Sequence, residues 1–198
     1  MKKLFAAAFL CGLSFIASAQ FKQVVVEEVD NGGKVPGRTY RIYAELEKEK
    51  DQVYVIFGDS LHKLEIKSSK PFFQSKRGGA MAKDANRKQS AENDSLRYDS
   101  WVTIGASDNY DNNLQLLNVS FDDFEKKGGS ITIPKDGAWF CVPTDKQGWA
   151  GSSKRILLFQ FTTAGEINGQ FSLMGKTAAG ESFIKHDIQF SCGQKKVK

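Results

Sequence analysis

The chain has 198 residues and a formal net charge of +5 at pH 7. Setting aside Lys2 and Lys3 of an N-terminal leader leaves 26 basic against 23 acidic residues, a net +3. So small an excess gives little compositional support for a nucleic-acid partner. Beyond the first 16 residues no stretch approaches the ~20 apolar residues of a bilayer-spanning helix.

The leader is read from a basic start at Lys2 and Lys3, an apolar run from Leu4 to Ile16, and small residues at Ala17-Ser18-Ala19. This is a signal-peptide pattern with cleavage before Gln20, so residues 20–198 form the expected working chain, one domain in the periplasm or extracellular space. Cys11 lies mid-run behind the large Leu10, where a lipoprotein signal places a small residue.

Gln23–Val29 is β-branched and reads as a first strand, closed by the turn residues Asp30-Asn31-Gly32-Gly33. Thr39–Leu46 alternates, with Tyr40, Ile42, Ala44 and Leu46 on one face and Arg41, Tyr43 and Glu45 on the other. Val53–Phe57 is a near-continuous apolar run, expected to be central in a sheet. Gly58-Asp59-Ser60 turns the chain toward Leu61, Leu64 and Ile66, and a hairpin between the two runs is the simple expectation.

Ser68–Leu96 is a long polar stretch, basic at Lys76, Arg77, Lys83, Arg87 and Lys88. Loops this long are uncommon in compact domains, so it is a functional loop, a mobile one, or the cover of a short helix near Ala80–Arg87. Tyr98–Gly105 reads as a strand of aromatic and β-branched residues. Leu114–Val119, Ile131–Ile133, Trp139–Val142, Arg155–Thr163, Ile167–Gly175 and Phe183–Cys192 continue the series, before a tail, residues 195–198, expected to fray. About ten short strands separated by Gly turns, with no convincing helix, give an all-β single domain, a β-sandwich of jelly-roll type.

Thr39-Tyr40-Arg41-Ile42-Tyr43, Val55-Ile56-Phe57-Gly58-Asp59, Phe72-Phe73-Gln74-Ser75 with Gly78-Gly79, Tyr98-Asp99-Ser100-Trp101-Val102-Thr103-Ile104-Gly105 and Phe161-Thr162-Thr163-Ala164-Gly165 carry a resemblance. Together they look like a group of secreted β-domains of Bacteroidetes-type bacteria that share a YDSWVTIG block. The resemblance implies the fold and export. The group has no established activity, so no catalytic residue carries over. Asp59-Ser60-Leu61 and Asp94-Ser95-Leu96 also resemble the acceptor pattern of Bacteroidetes-type O-glycosylation, with Ser60 and Ser95 as acceptors.

No catalytic constellation emerges. His62 and His186 are far apart in sequence and read as structural, no G-x-S-x-G is present, and nothing indicates a raised pKa or a shared cleft for Asp99 or the Asp122-Asp123 pair. The chain is therefore expected to bind rather than catalyse. Trp139, Phe140 and Trp149 around a Gly/Ser loop offer rings to stack on a glycan or anchor a protein partner. Lys76, Arg77 and Arg87 offer a basic contact surface. A structural role in an envelope or extracellular matrix is the first alternative, a hydrolase the second. No cofactor is expected. Residues 107–113 hold oxygen ligands suited to Ca²⁺, with Asp108, Asp111 and Asn113 the candidates, although the order is not that of an EF-hand. Export permits a disulfide between Cys141 and Cys192, closing a loop of about 50 residues for roughly 4 kcal/mol; the alternative is two buried thiols.

Overall fold

The computed structural model describes residues 21–193; the leader reading of residues 1–19 and the frayed tail at 195–198 lie outside the described residues. Eleven strands form two antiparallel sheets: β1 (Phe21–Val29), β2 (Arg38–Leu46), β3 (Gln52–Gly58), β4 (Leu64–Ser68), β5 (Trp101–Val102), β6 (Gln115–Leu117), β7 (Ile131–Ile133), β8 (Gly137–Phe140), β9 (Arg155–Thr163), β10 (Ile167–Lys176) and β11 (Ser182–Cys192). Three short helices join them, α1 (Arg87–Glu92), α2 (Asp94–Arg97) and α3 (Asp122–Lys127). The smaller sheet runs β1-β2-β9-β5. In the larger, β10 pairs β11 along one edge and both β3 and β4 along the other; β8 and β6 continue from β3, and β7 from β4. The two sheets make the all-β sandwich.

The expected hairpin between the third and fourth strands does not form. β3 faces the second half of β10, with Leu173 opposite Ile56, and β4 faces the first half, with Gly169 opposite Ile66. Both run antiparallel to β10, so they are one strand line interrupted by residues 59–63. Asp59 closes that excursion: its Oδ1 accepts from the backbone N–H groups of Leu61 and His62, and its own N–H donates to the His62 carbonyl. β7 and β8 repeat the device one line over, broken at residues 134–136. Pro134, Gly58 and Asp59 are turn residues in either case, because an outward excursion and a chain reversal need the same backbone chemistry.

Inward residues of both sheets share one core. Ile42, Leu46, Ile56, Leu64, Ile66, Leu158, Phe159, Phe161, Phe171 and Trp139 are fully buried. Phe159 is its aromatic centre, stacked on Phe161 at 5.4 Å and Phe190 at 5.8 Å, and edge-on to Phe171 and Trp139. A bulge in β9, where Ile42 faces Phe159 and Tyr43 faces Leu157, leaves Leu158 as the extra residue and lets Leu158 and Phe159 both enter the core.

The long polar stretch is a cover for the outer face of the smaller sheet. It contains a 3₁₀ turn at Ala82–Asp84, then α1 and α2, each capped by an Asn side chain, Asn86 and Asn93. Beneath it Trp101 packs with Ala82, Leu157 and Tyr43. Only Trp101 and Val102 of the expected strand at 98–105 pair as one. The rest is buried on both parities: Tyr98, Asp99, Ser100, Thr103 and Ile104 all lie inside. Its hydrogen bonds go sideways, Thr162 Oγ1 to the Tyr98 carbonyl and Gln160 Nε2 to the Arg97 and Asp99 carbonyls. At Gly105, φ is +80° and a Cβ would lie 1.6 Å from the Gln147 carbonyl oxygen, so the block ends on a residue that only glycine fits.

Candidate functional site: the solvent face of the larger sheet

Antiparallel sheets in sandwiches commonly turn a polar face to water. The larger sheet does so over only half its outer face. Strand register places Ile184, Met174, Val55 and Phe140 side by side in one row across β11, β10, β3 and β8. The next row carries Phe57, Ala138 and Leu117 across β3, β8 and β6. Leu117 and Ile184 are 55% and 49% exposed, and Val142 and Trp149 extend the apolar surface past the end of β8. Trp149 belongs to this face because it bridges to Gln52 at the start of β3. Val55, Phe57, Leu117, Ala138 and Met174 line a shallow trough of about 340 Å³ whose charged lining groups are both acidic, Asp59 and Asp136. Over β4 and the first half of β10 the face is polar, with Lys63, Glu65, Lys67, Asn168, Gln170 and Gln189.

A bulge in β11 marks the boundary. Phe171 faces Ile188 and Leu173 faces Lys185, so His186 and Asp187 together oppose Ser172. Asp187 adopts a φ of +53°, uncommon outside glycine. The bulge brings the two histidines together: the His62 and His186 rings stack at 4.0 Å, His186 meets Phe57 edge-on, and His62 Nδ1 lies 2.7 Å from Asp187 Oδ2. Asp187 Oδ1 accepts from Gln170 Nε2. The backbone N–H groups of His62 and, more weakly, Leu61 hold the Asp59 carboxyl below its usual range. Ring lone pairs lie in the ring plane, so stacked imidazoles do not converge on one ion. Among the described residues no group of three or more His, Cys, Asp or Glu side chains is placed to hold a metal.

The residues named from sequence divide between opposite sides of the sandwich. Phe140 and Trp149 share the solvent face of the larger sheet. Trp139 is fully buried and is a core residue, because its parity on β8 is the inward one. Lys76, Arg77 and Arg87 are exposed on the cover over the smaller sheet. One small ligand therefore cannot touch both sets.

The expected disulfide is absent: Cys141 and Cys192 are both buried free thiols, not at bonding distance. Cys141 leaves β8 and Cys192 ends β11, with β3 and β10 between them. Three inter-strand steps account for about 14 Å sideways, and Cys192 lies opposite Ile167 while Cys141 follows Phe140, in line with Met174 at the other end of β10, so they are well beyond the ~7 Å that a bridge spans. Burial pushes both thiols up to about 12.

In the Ca²⁺ candidate loop, Asp108 Oδ2 receives Arg87 Nε at 2.9 Å and its Oδ1 receives the Tyr110 N–H, so that carboxylate is engaged within the chain. Asp111 is at a φ of +48°, and the Asn113 N–H donates to Gln147 Oε1. Ser60 lies exposed on the 59–63 excursion, whereas the Ser95 hydroxyl donates to Asn93 Oδ1 and sits 3.3 Å from Ser75 Oγ. Asp122 pairs with Lys126 and lies on α3, apart from both histidines. The signal that sequence reading missed is the pairing of His62 with His186, which depends on β3 and β4 being collinear.

No family model, no curated protein and no solved structure matches the chain.

Proposed function

We propose that the chain is an exported, non-catalytic binding module, and that its working surface is the apolar half of the larger sheet's solvent face. The observation that carries this reading is the apolar surface of these two rows, where Leu117 and Ile184 stand exposed and Met174, Val55 and Phe140 are half-buried, over Phe57 and Ala138 that lie buried between them. Contiguous exposed apolar surface of this kind marks an interaction site. Export rests on the sequence of residues 1–19, and the family likeness on the YDSWVTIG block.

A protein partner fits this face better than a glycan. Sugars need hydrogen-bonding groups beside a stacking ring, and the rows are mainly aliphatic, with Trp149 at their margin. The partner's chemistry follows from the trough: an apolar side chain over Val55 and Met174, beside a basic group facing Asp59 and Asp136. Binding is favoured over hydrolysis because the carboxylate that meets His62, Asp187, has no nucleophile to serve: among the described residues no Ser, Thr or Cys side chain hydrogen-bonds either imidazole, Asp99 is enclosed and Asp122 is paired with Lys126. The exposed hydroxyl of Ser60 makes it the better placed of the two O-glycosylation acceptors.

Leu117→Asp and Ile184→Asp, exposed positions whose change leaves the fold intact, should each weaken capture of the partner from native secreted material at least tenfold, as interface anchors do. Lys67→Glu on the polar half should not. Capture insensitive to both apolar-face changes, or lost equally with Lys67→Glu, overturns the assignment. A dimer of the pure chain abolished by Leu117→Asp would instead identify the partner as a second copy.

A further inference from the structure

The cover over the smaller sheet encloses a second cleft, of about 370 Å³, whose lining includes Arg41, Arg87, Arg97, Leu96, Trp101 and Asp108. We infer that this cleft binds a small oxyanion-bearing ligand, a carboxylate or phosphoryl compound, at a site separate from the apolar face. Three arginines line it against the single carboxylate of Asp108. Glu27, opposite Arg41 across β1 and β2, pairs with Arg155 at 3.0 Å, and Asp94 pairs with Lys34 at 3.1 Å. Among the described residues neither Arg41 nor Arg97 forms an ion pair with a carboxylate.

Each arginine is held before any ligand arrives. Arg41 Nε donates to Gln160 Oε1 at 2.9 Å, and Gln160 is itself buried and fixed by the Arg97 and Asp99 carbonyls. Arg87 is fixed by Asp108 and lies over the Tyr110 ring at 4.4 Å. Arg97 lies 5.6 Å from the Tyr98 ring. A guanidinium has five donors in a planar fork, so one or two such contacts leave further N–H groups for a ligand. Groups ordered in advance lose less entropy on binding. The floor is Trp101 and Leu96, so an oxyanion bound here is partly shielded from solvent, where charge-assisted hydrogen bonds are strongest. The volume falls within the ~300–1,000 Å³ range of small-ligand pockets.

The test titrates the full chain with inorganic phosphate, glucuronate and, as the neutral counterpart, glucose, following the Trp101 indole resonance. Phosphate, glucuronate or both should saturate the shift, and added salt should weaken it. Arg97→Gln and Arg87→Gln should each weaken binding tenfold or more while thermal unfolding stays within a few degrees. Preference for phosphate assigns a phosphoryl ligand, and preference for glucuronate a carboxylate. No saturable shift with either anion, an equal response to glucose, or unchanged binding in Arg97→Gln overturns the inference. The Leu117→Asp chain should keep its anion binding, which separates failure of this site from failure of the apolar face.

Discussion

Asp99 is the most constrained ionisable side chain in the YDSWVTIG block. Its Oδ1 accepts from the Ser75 and Ser100 N–H groups at 2.7 and 2.9 Å, and its Oδ2 is buried without a hydrogen-bond partner. A Cβ on Gly78 would lie 1.8 Å from Oδ2, which explains why the turn of the cover places a glycine there. Burial pushes the carboxyl up to about 7, against the backbone N–H groups of Ser75, Ser100 and, most weakly, Gly79, which favour its charged form. In the unfolded chain it titrates near 4. Between about pH 4 and 7 the native state holds a proton that the unfolded state has lost, so this group's contribution to stability falls as pH rises through that window. At 1.36 kcal/mol per pH unit the loss is up to about 4 kcal/mol. Asp99→Asn keeps an acceptor for both N–H groups and cannot ionise. Denaturant unfolding should show the two chains similar at pH 4 and the Asn variant more stable at pH 8; a difference that does not change with pH would contradict this. The sequence shows Asp99 as one residue of an alternating strand and carries no sign of this enclosure, because alternation distinguishes two faces and here both are covered.

Most strands were legible from local pattern, since β2, β7, β9 and β10 are bounded by turn residues and rich in β-branched and aromatic side chains. What escaped is everything set by long-range register. β11 shows why: its simple alternation puts Ile184 with Ile188 and Phe190, yet Ile184 is 49% exposed while Ile188 is buried. The bulge at His186 and Asp187 switches faces midway, so Phe183 packs on the core and Ile184 joins the apolar row outside. The same bulge aims His186 and Asp187 at His62, and the site could not be assembled from the sequence without it. Deleting Asp187 restores simple alternation, turning Phe183 outward and removing the His62 contact. Ile184 turns inward in its place, and the expected cost is about 1–3 kcal/mol, the range for forcing a core to accept a side chain of different shape. It should appear as a lower denaturant midpoint at unchanged slope; an unchanged midpoint would mean the bulge does not set the faces.

At the scale of the molecule, the two sheets present opposite surfaces of different make-up. The larger leaves apolar side chains in water, whereas the smaller is roofed by a segment whose polar composition suggests a dispensable loop. That composition misleads because the roof is held by backbone acceptors and a few small or apolar anchors. Leu96, Ala82 and Ala85 are buried, the Val102 N–H donates to the Ala80 carbonyl, and Lys83 Nζ reaches the Leu114 carbonyl at 2.7 Å. Gln160 would lose the Arg97 carbonyl without it, and Trp101, Leu157 and Tyr43 would lose the Ala82 side of their cluster. Opening buried polar groups together with a buried Trp costs several kcal/mol, comparable to the whole stability of a domain. A chain lacking residues 76–97 should therefore not fold cooperatively, and heating should give no sharp transition in near-UV circular dichroism. If the shortened chain melts as sharply as the full one, the segment is only an appended loop. In that case the arginine cleft would have no rigid wall and the anion-binding inference would fall with it.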